Sequence, residues 1–198
     1  MAKIFNDHMA VIDLETLGVR SDSVILSLGL TFSRYDEVKT FDELVNEGLY
    51  LKFNIKEQLN RSRVTQERVV KWWYNQSIEA RKILYVKEDD LSFYQLPEIL
   101  NKFFEDKGVS LKKVDLYDRK SFDISKLQYL YEEELGGDIP WNPNSEFEVA
   151  TTFRMLGFDR YAGIQVSDIP GATYHNAIHD AAVDHLRIFK CLHSISEE

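Results

Sequence analysis

Apolar positions come first as short unbroken runs and only later at helical spacing. Residues 9–14 form an apolar run of strand length. After the polar turn Ser21-Asp22-Ser23, residues 24–32 read as a second strand. Residues 41–53 give a weaker signal, whose end, Leu49-Tyr50-Leu51-Lys52-Phe53, alternates as a third strand does. The three predict an antiparallel meander opening the fold.

The middle of the chain is helical. Residues 66–75 and 78–84 are periodic, with Ser77 between them as a good N-cap. Residues 92–106 carry apolar positions at Phe93, Leu96, Leu100, Phe103 and Phe104. Pro97 must then lie within that helix's first turn, which puts the start near it. Residues 114–117 are a short strand candidate. Residues 122–135 make an amphipathic helix stopped by Gly136-Gly137, and 145–156 another, ended by Gly157. Residues 164–174, with Pro170-Gly171, read as loop, and 176–195 as the last helix. No internal repeat or low-complexity segment interrupts this order. Strands first, then helices with one or two further strands, predict an α/β or α+β mixed sheet.

Composition narrows the function. The 198 residues are 44% hydrophobic, which suits one domain over residues 1–198 with a substantial core. Against 24 Lys+Arg stand 33 Asp+Glu, a formal charge of −9. Such a chain does not hold a polyanion by net charge and needs bound cations or local basic patches to do so. Cys191 is the single cysteine, so an intrachain disulfide and a cysteine zinc site are excluded, and a reducing compartment is expected. No apolar signal segment is visible in residues 1–8, and no run is long enough to span a bilayer, so a cytoplasmic location is expected.

The candidate chemistry sits at three places. Asp13 and Glu15 are two apart, so in a strand both carboxylates leave the same face. Two adjacent carboxylates raise each other's pKa unless a cation lies between them, and hard oxygen ligands favour Mg²⁺ or Mn²⁺. An isolated Asp-x-Glu is more often a solvated strand end, but Ala10-Val11-Ile12 directly before it argues for a core strand. Asp123 stands at a helix start, where the macrodipole favours an acid in any case. Asp118, at the end of the 114–117 strand, competes with it. His175 precedes the last helix and Asp180 lies in its first turns. His179, Asp184 and His185 are neighbours, and Asp180 and Asp184 even have i, i+4 spacing. That pairing ranks lower because it leaves Asp13 and Glu15 unused.

Taken in order, Asp13-x-Glu15-Thr16, Phe122-Asp123 and His175-x-Ala177-x-x-Asp180 resemble the three motifs of the DnaQ-like DEDDh 3′–5′ exonucleases. Asn176 stands where the tyrosine branch of that superfamily has its tyrosine, so the histidine branch is indicated. Phe41-Asp42-Glu43-Leu44-Val45 and the stretch from Trp72 to Lys82 further resemble the DexA-type exodeoxyribonucleases of T-even bacteriophages. The likeness runs from residue 9 to about 80 and returns around the second and third motifs. After Trp141 the basic stretch of that family is replaced by Ser145-Glu146-Phe147-Glu148-Val149, which leaves Arg154 and Arg160 as candidate substitutes.

The resemblance implies an RNase H-like α/β fold with a mixed central sheet of about five strands flanked by helices. It implies hydrolysis of DNA from the 3′ end to nucleoside 5′-monophosphates with two divalent cations, Mg²⁺ or Mn²⁺. Asp13, Glu15 and Asp180 would hold one ion, Asp13 and Asp123 the other, and His175 would be the general base. Thr16, Leu17, Gly18, Trp72, Trp73, Ser121 and Phe122 are candidates for substrate binding, with Leu17 a wedge and one of the adjacent tryptophans a stacking platform. Arg61, Arg63, Arg68 and Lys71, then Arg81 and Lys82, then Lys112, Lys113, Arg119, Lys120 and Lys126 are candidate phosphate contacts. The implied partner is a DNA 3′ end, single-stranded by preference, met in the cytoplasm (a host's, if the chain is phage-encoded) by a monomer or homodimer. An exoribonuclease on the same scaffold and a non-catalytic nucleic-acid-binding module are the alternatives.

Overall fold

The computed structural model describes residues 6–195. Residues 1–5, part of the stretch in which no signal sequence is visible, lie outside it. Strand β1 (His8–Thr16) pairs antiparallel with β2 (Ile25–Arg34), and β2 pairs antiparallel with β3 (Leu49–Lys52). On its other side β1 pairs in parallel with β4 (Val114–Asp118), and β4 with β5 (Glu146–Glu148). The sheet therefore has five strands in the order β3-β2-β1-β4-β5, an RNase H-like arrangement with β1 at its centre.

Alternation along β1 separates two cores. Ala10, Ile12 and Leu14 face a large cluster with α5 (Leu96–Asp106) and α6 (Phe122–Tyr129). Met9 and Val11 face a second cluster, which includes Val149 and Phe153 of α7 (Val149–Met155) and Ala181, Ile188 and Phe189 of α8 (Ala177–Ile195). Asp13 and Glu15 continue the α8 side. On β2 the same side carries only small or polar residues, Ser27, Gly29, Thr31 and Ser33, which leaves room for a helix to approach closely. Where α8 begins, a Cβ on Gly29 would overlap the Ala177 carbonyl. Gly29 is the register partner of Asp13, so this close approach brings the start of α8 beside the acidic strand. A third, smaller cluster joins Leu17, Val24, Leu26 and Trp73 where α3 (Glu67–Tyr74) and α4 (Ile78–Arg81) pack.

Local expectations hold where the signal is chemical. The Ser77 hydroxyl accepts from the Ala80 N–H at 3.1 Å and starts α4. Pro97 sits in the first turn of α5, behind a short 3₁₀ turn over Phe93–Gln95. After α6 the chain widens into a π-helical turn, Leu130–Glu134, before Gly136.

Three stretches depart from or add to the expected elements. Phe41–Glu47 is a helix, α1, because Thr40 and Glu43 form a capping box at its start. Ile55–Asn60 is a short helix, α2, capped by Asn54. The helix expected over 145–156 begins only at Val149. Glu148 accepts from the Ala150 and Thr151 N–H groups as its N-cap, and the preceding three residues join the sheet as β5. Among the described residues no helix is long and apolar enough to cross a membrane.

Candidate active site

Three elements meet at one end of the sheet. Strand β1 supplies Asp13 and Glu15, the first turn of α6 supplies Asp123, and the start of α8 supplies His175 and Asp180. Ligand atoms of Glu15, His175 and Asp180 lie within 4.8 Å of one another. Asp13 and Asp123 stand outside that tight triple but share its field. Burial, then the Asp123, Glu15 and Asp180 charges, push the Asp13 carboxyl well above the usual carboxylate range. Burial and the Asp180 and Asp123 charges do the same to Glu15. Asp180 is pushed up to about 7, chiefly by burial, with a hydrogen bond from His175 opposing the shift.

That hydrogen bond fixes the junction before α8. The His175 N–H donates to Asp180 Oδ2 at 2.9 Å, and His175 takes a left-handed backbone conformation, φ +59°. Its imidazole is turned toward the acids, with Nδ1 4.0 Å from Glu15 Oε1. The Trp72 ring stands edge-on to it with centroids 4.7 Å apart. Burial lowers the His175 pKa, so the ring is neutral at neutral pH.

Asp118 and Asp123 divide their work. Asp118 Oδ2 accepts from the Asp123 N–H at 2.9 Å and the Ile124 N–H at 3.1 Å, so it caps α6 and aims its first turn. Asp123 then points inward, held by the Leu14 main chain and raised by burial and by Asp118. Its Oδ1 is buried without a hydrogen-bond partner.

The neighbouring histidines are structural. His179 Nδ1 accepts from the Thr173 N–H at 3.0 Å, and its ring packs on Phe41. His185 is fully buried between the Thr31 and Ser33 hydroxyls, 2.8 Å from each. Asp184 forms ion pairs with Arg119 at 2.5 Å and Arg187 at 2.6 Å, which leaves it no place among the ligands.

The substrate-side expectations separate. Glu15, Thr16, Gly18, Arg68, Trp72 and Phe122 line a cleft of about 380 Å³. Trp72 is 40% exposed there, whereas Trp73 is buried and donates its Nε1–H to the Thr16 carbonyl at 2.9 Å. Leu17 turns into the core with Val24 and Leu26 because residue 17 has left the β1 alternation, so it offers no wedge. Gly18 is glycine for packing, since a Cβ would strike the Ser23 hydroxyl. Ser121 is exposed in a left-handed conformation just before Phe122 and does not line this cleft. A second cleft of about 510 Å³ opens beyond His175, lined by Tyr50, Lys52, Lys82, Tyr85, Lys87 and Asn176 among others. Sequence reasoning missed it, because its walls come from β3, the segment after α4 and the loop before α8.

Several expected phosphate contacts are engaged inside the protein. Arg119 is paired with Asp184, Arg63 is buried against Glu134 at 2.7 Å, and Lys126 is fully buried. Arg61 lies over the Tyr94 ring.

Residues 8–190, which carry this whole arrangement, match the family described as the 3′-5′ exoribonuclease Rv2179c-like domain. The chain belongs to that family. Over 84 residues the chain is 38% identical to the exodeoxyribonuclease of Enterobacteria phage T4, a match covering 41% of the chain and 37% of the phage protein. The fold is shared with a zinc-bound Escherichia coli exonuclease I–single-stranded DNA complex. That likeness has a TM-score of 0.62 at 10% identity and covers 95% of this chain and 41% of the exonuclease I chain. Schizosaccharomyces pombe Pop2p, solved with Mg²⁺ and Mn²⁺ bound, superposes with a TM-score of 0.52 at 15% identity, over 92% and 81% of the two chains. The chain thus spans less than half the length of the phage relative and of exonuclease I.

Proposed function

We propose that this chain is a divalent-metal-dependent 3′–5′ exonuclease that releases nucleoside 5′-monophosphates from single-stranded DNA ends. The observation that carries this reading is the convergence of Asp13, Glu15, Asp123 and Asp180 at the end of one sheet. Burial first, and then neighbouring carboxylates, raise all four pKa values. Among the described residues none of the four is in a Lys or Arg salt bridge, and Asp123 Oδ1 has no partner at all. Buried carboxylates without a countercharge are costly, and hard oxygen donors of this number suit Mg²⁺ or Mn²⁺. Glu15, Asp180 and Asp13 would hold one ion, and Asp13 with Asp123 a second. A cation bound there supplies Lewis-acid polarisation of the phosphodiester and neutralises charge on the leaving 3′ oxygen.

The chain's own groups do the remainder. His175 is neutral and faces the acids, so an imidazole nitrogen can take the proton of the attacking water. The Asp180 carboxylate holds the His175 main chain and keeps the ring at that edge. Trp72 and Phe122 give the terminal base apolar surfaces in the first cleft. The second cleft, with Tyr50, Tyr85 and Lys87 on the other side of His175, gives the preceding nucleotides a path. A scissile phosphate at the acids then lies between one nucleotide and the strand it leaves.

The DNA reading rests on the identity to the phage exodeoxyribonuclease, and the family's own description favours RNA as the second reading. Incubation of the full chain with 3′-labelled single-stranded DNA, duplex DNA and RNA in Mg²⁺ decides between them. Faster mononucleotide release from single-stranded DNA is expected. Faster release from RNA would reassign the substrate and leave the site unchanged.

A further inference from the structure

The face of the sheet that carries the acids ends, at the β3 edge, on Tyr50 and Lys52. Asp13, Gly29 and Tyr50 are successive cross-strand partners, and so are Glu15, Ser27 and Lys52. Each row crosses three strands on one face, so the Lys52 main chain lies about 10 Å from that of Glu15, two strand spacings away. The Lys52 ammonium is engaged by the loop of residues 85–90. Its Nζ donates to the Tyr85 carbonyl at 2.7 Å and to both Asp90 carboxylate oxygens at 2.5 and 2.6 Å. This ion pair is largely buried, with the side chains 15% and 2% exposed. Asp90 also accepts from the Lys87 N–H at 2.9 Å, and the Leu91 N–H donates to the Lys52 carbonyl at 2.9 Å. One lysine therefore fastens the whole loop to the sheet edge. A buried ion pair is costly to desolvate, yet what this one holds is an exposed wall. Tyr85 is 65% exposed, and Lys87 is exposed and, among the described residues, in no salt bridge.

We propose that Lys52 is a positioning residue for the leaving strand: by fastening the 85–90 loop it sets Tyr85 and Lys87 as a subsite for the nucleotide on the 5′ side of the scissile bond. The inference rests on the reading of the acid cluster as an exonuclease centre, and it names the device that grips the strand there. Tyr85 and Lys87 share the cleft of about 510 Å³ with His175 and Tyr50, so the subsite begins where the acids end. Its chemistry fits an unpaired strand. An exposed aromatic ring takes a free base on its face, and a lysine without a carboxylate partner takes a phosphate. A base stacked within a duplex has no free face to offer. Residues 64–87, which lead through α3 and α4 to this wall, hold five Lys or Arg against two Glu, in a chain whose formal charge is −9. The local sign is the one a polyanion needs. Contacts to the leaving strand are the same before and during reaction, so they act on KM and not on kcat.

The test compares the full chain with its Lys52→Met variant on two substrates in Mg²⁺. One is a single-stranded DNA oligonucleotide. The other is thymidine 5′-p-nitrophenyl phosphate, which has nitrophenolate in place of the leaving strand. Releasing the loop should raise KM for the oligonucleotide at least roughly fivefold, the lower end of what one stacked base contributes, with kcat changed less than about twofold. The ester has nothing that reaches the loop and should be hydrolysed as by wild type. Lys52→Arg keeps a cation for Asp90 and should stay near the wild-type KM. Methionine alone leaves Asp90 buried without its partner, so Lys52→Met combined with Asp90→Asn, which removes both charges, provides the same comparison should the single variant not fold. The oligonucleotide KM and kcat decide alone if wild type turns over the ester too slowly to measure. An equal loss on both substrates, a loss in kcat with KM unchanged, or no change at all overturns the inference while leaving the exonuclease centre intact. A folded wild type that cleaves neither substrate overturns the exonuclease reading and the inference with it.

Discussion

Gly29 and Ala177 touch backbone to backbone, and no side chain fits between them. This contact seats the first turn of α8 on the sheet next to Asp13, the register partner of Gly29. The geometry of His175 and Asp180 therefore depends on a residue with no functional group. Gly29→Ala should lift the helix start. Overpacking of this kind costs ~1–3 kcal/mol, and Mn²⁺ affinity should fall along with thermal stability. A variant with wild-type melting temperature and metal affinity would show that α8 is seated by other contacts.

Asp118 is predicted to matter through α6. Its carboxylate satisfies two buried N–H groups, and leaving them unsatisfied costs about 1–3 kcal/mol. Asp118→Ala should lower stability by that order and reduce activity by misplacing Asp123. Chemical denaturation checks the first and single-turnover rates the second. Activity abolished at full stability would instead make Asp118 a direct participant.

Trp72 and Trp73 should separate cleanly. Trp72→Ala removes an exposed ring beside His175. Stacking of a base on such a ring contributes ~1–3 kcal/mol, so oligonucleotide affinity should weaken roughly 5- to 150-fold with little loss of stability. Trp73→Ala empties a buried site and breaks the bond to Thr16, so it should cost about 3–5 kcal/mol of stability. Titration of labelled single-stranded DNA in Ca²⁺, with melting curves alongside, distinguishes the two. Equal binding by wild type and Trp72→Ala would remove Trp72 from the substrate path.

His185 gives a pH signature of the fold. Burial, aided by the Lys39 charge, pushes its pKa down to about 3, against an unfolded value near 6.5. The unfolded chain therefore binds this proton first, so the neutral ring stabilises the fold above pH 6.5 and that contribution is lost as pH falls from 6.5 toward 3. Relative to His185→Asn, wild type should lose about 2 kcal/mol more between pH 7 and pH 5. Urea denaturation of both proteins at the two pH values measures it. Parallel pH dependences would mean that His185 is not held neutral.

The parts legible from the sequence are those set by local chemistry. Asp13 and Glu15 share a face because β1 is a strand, and Ser77 and Pro97 mark helix starts through their own bonding. The five-strand mixed sheet followed from the family resemblance, whereas periodicity alone suggested only strands followed by helices. Glu146–Glu148 lies within residues 145–156, which read as one helix ended by Gly157. The choice is made by pairing with Leu116–Asp118, a tertiary effect. Leu17 looked available because it follows the acids, but the chain turns there and buries it. The fate of the basic residues was illegible for the same reason, since the partners of Arg63 and Arg119 lie 71 and 65 positions away. Gly29 did carry a signal, as glycine inside a strand marks close backbone approach.

The most direct test of the account is nucleotide release by the full chain from a 3′-labelled oligonucleotide, in DNA and RNA forms, with Mg²⁺ and with EDTA. Wild type should release 5′-mononucleotides from the 3′ end with Mg²⁺ and none with EDTA. Glu15→Gln and Asp180→Asn should be folded and inactive. His175→Ala should be slower by roughly 10²- to 10⁴-fold, and His179→Ala should stay near wild type in rate. Release that persists in EDTA or in the two carboxylate variants, or a folded wild type that releases nothing from either polymer, would contradict the assignment of this acid cluster as the centre of a metal-dependent exonuclease.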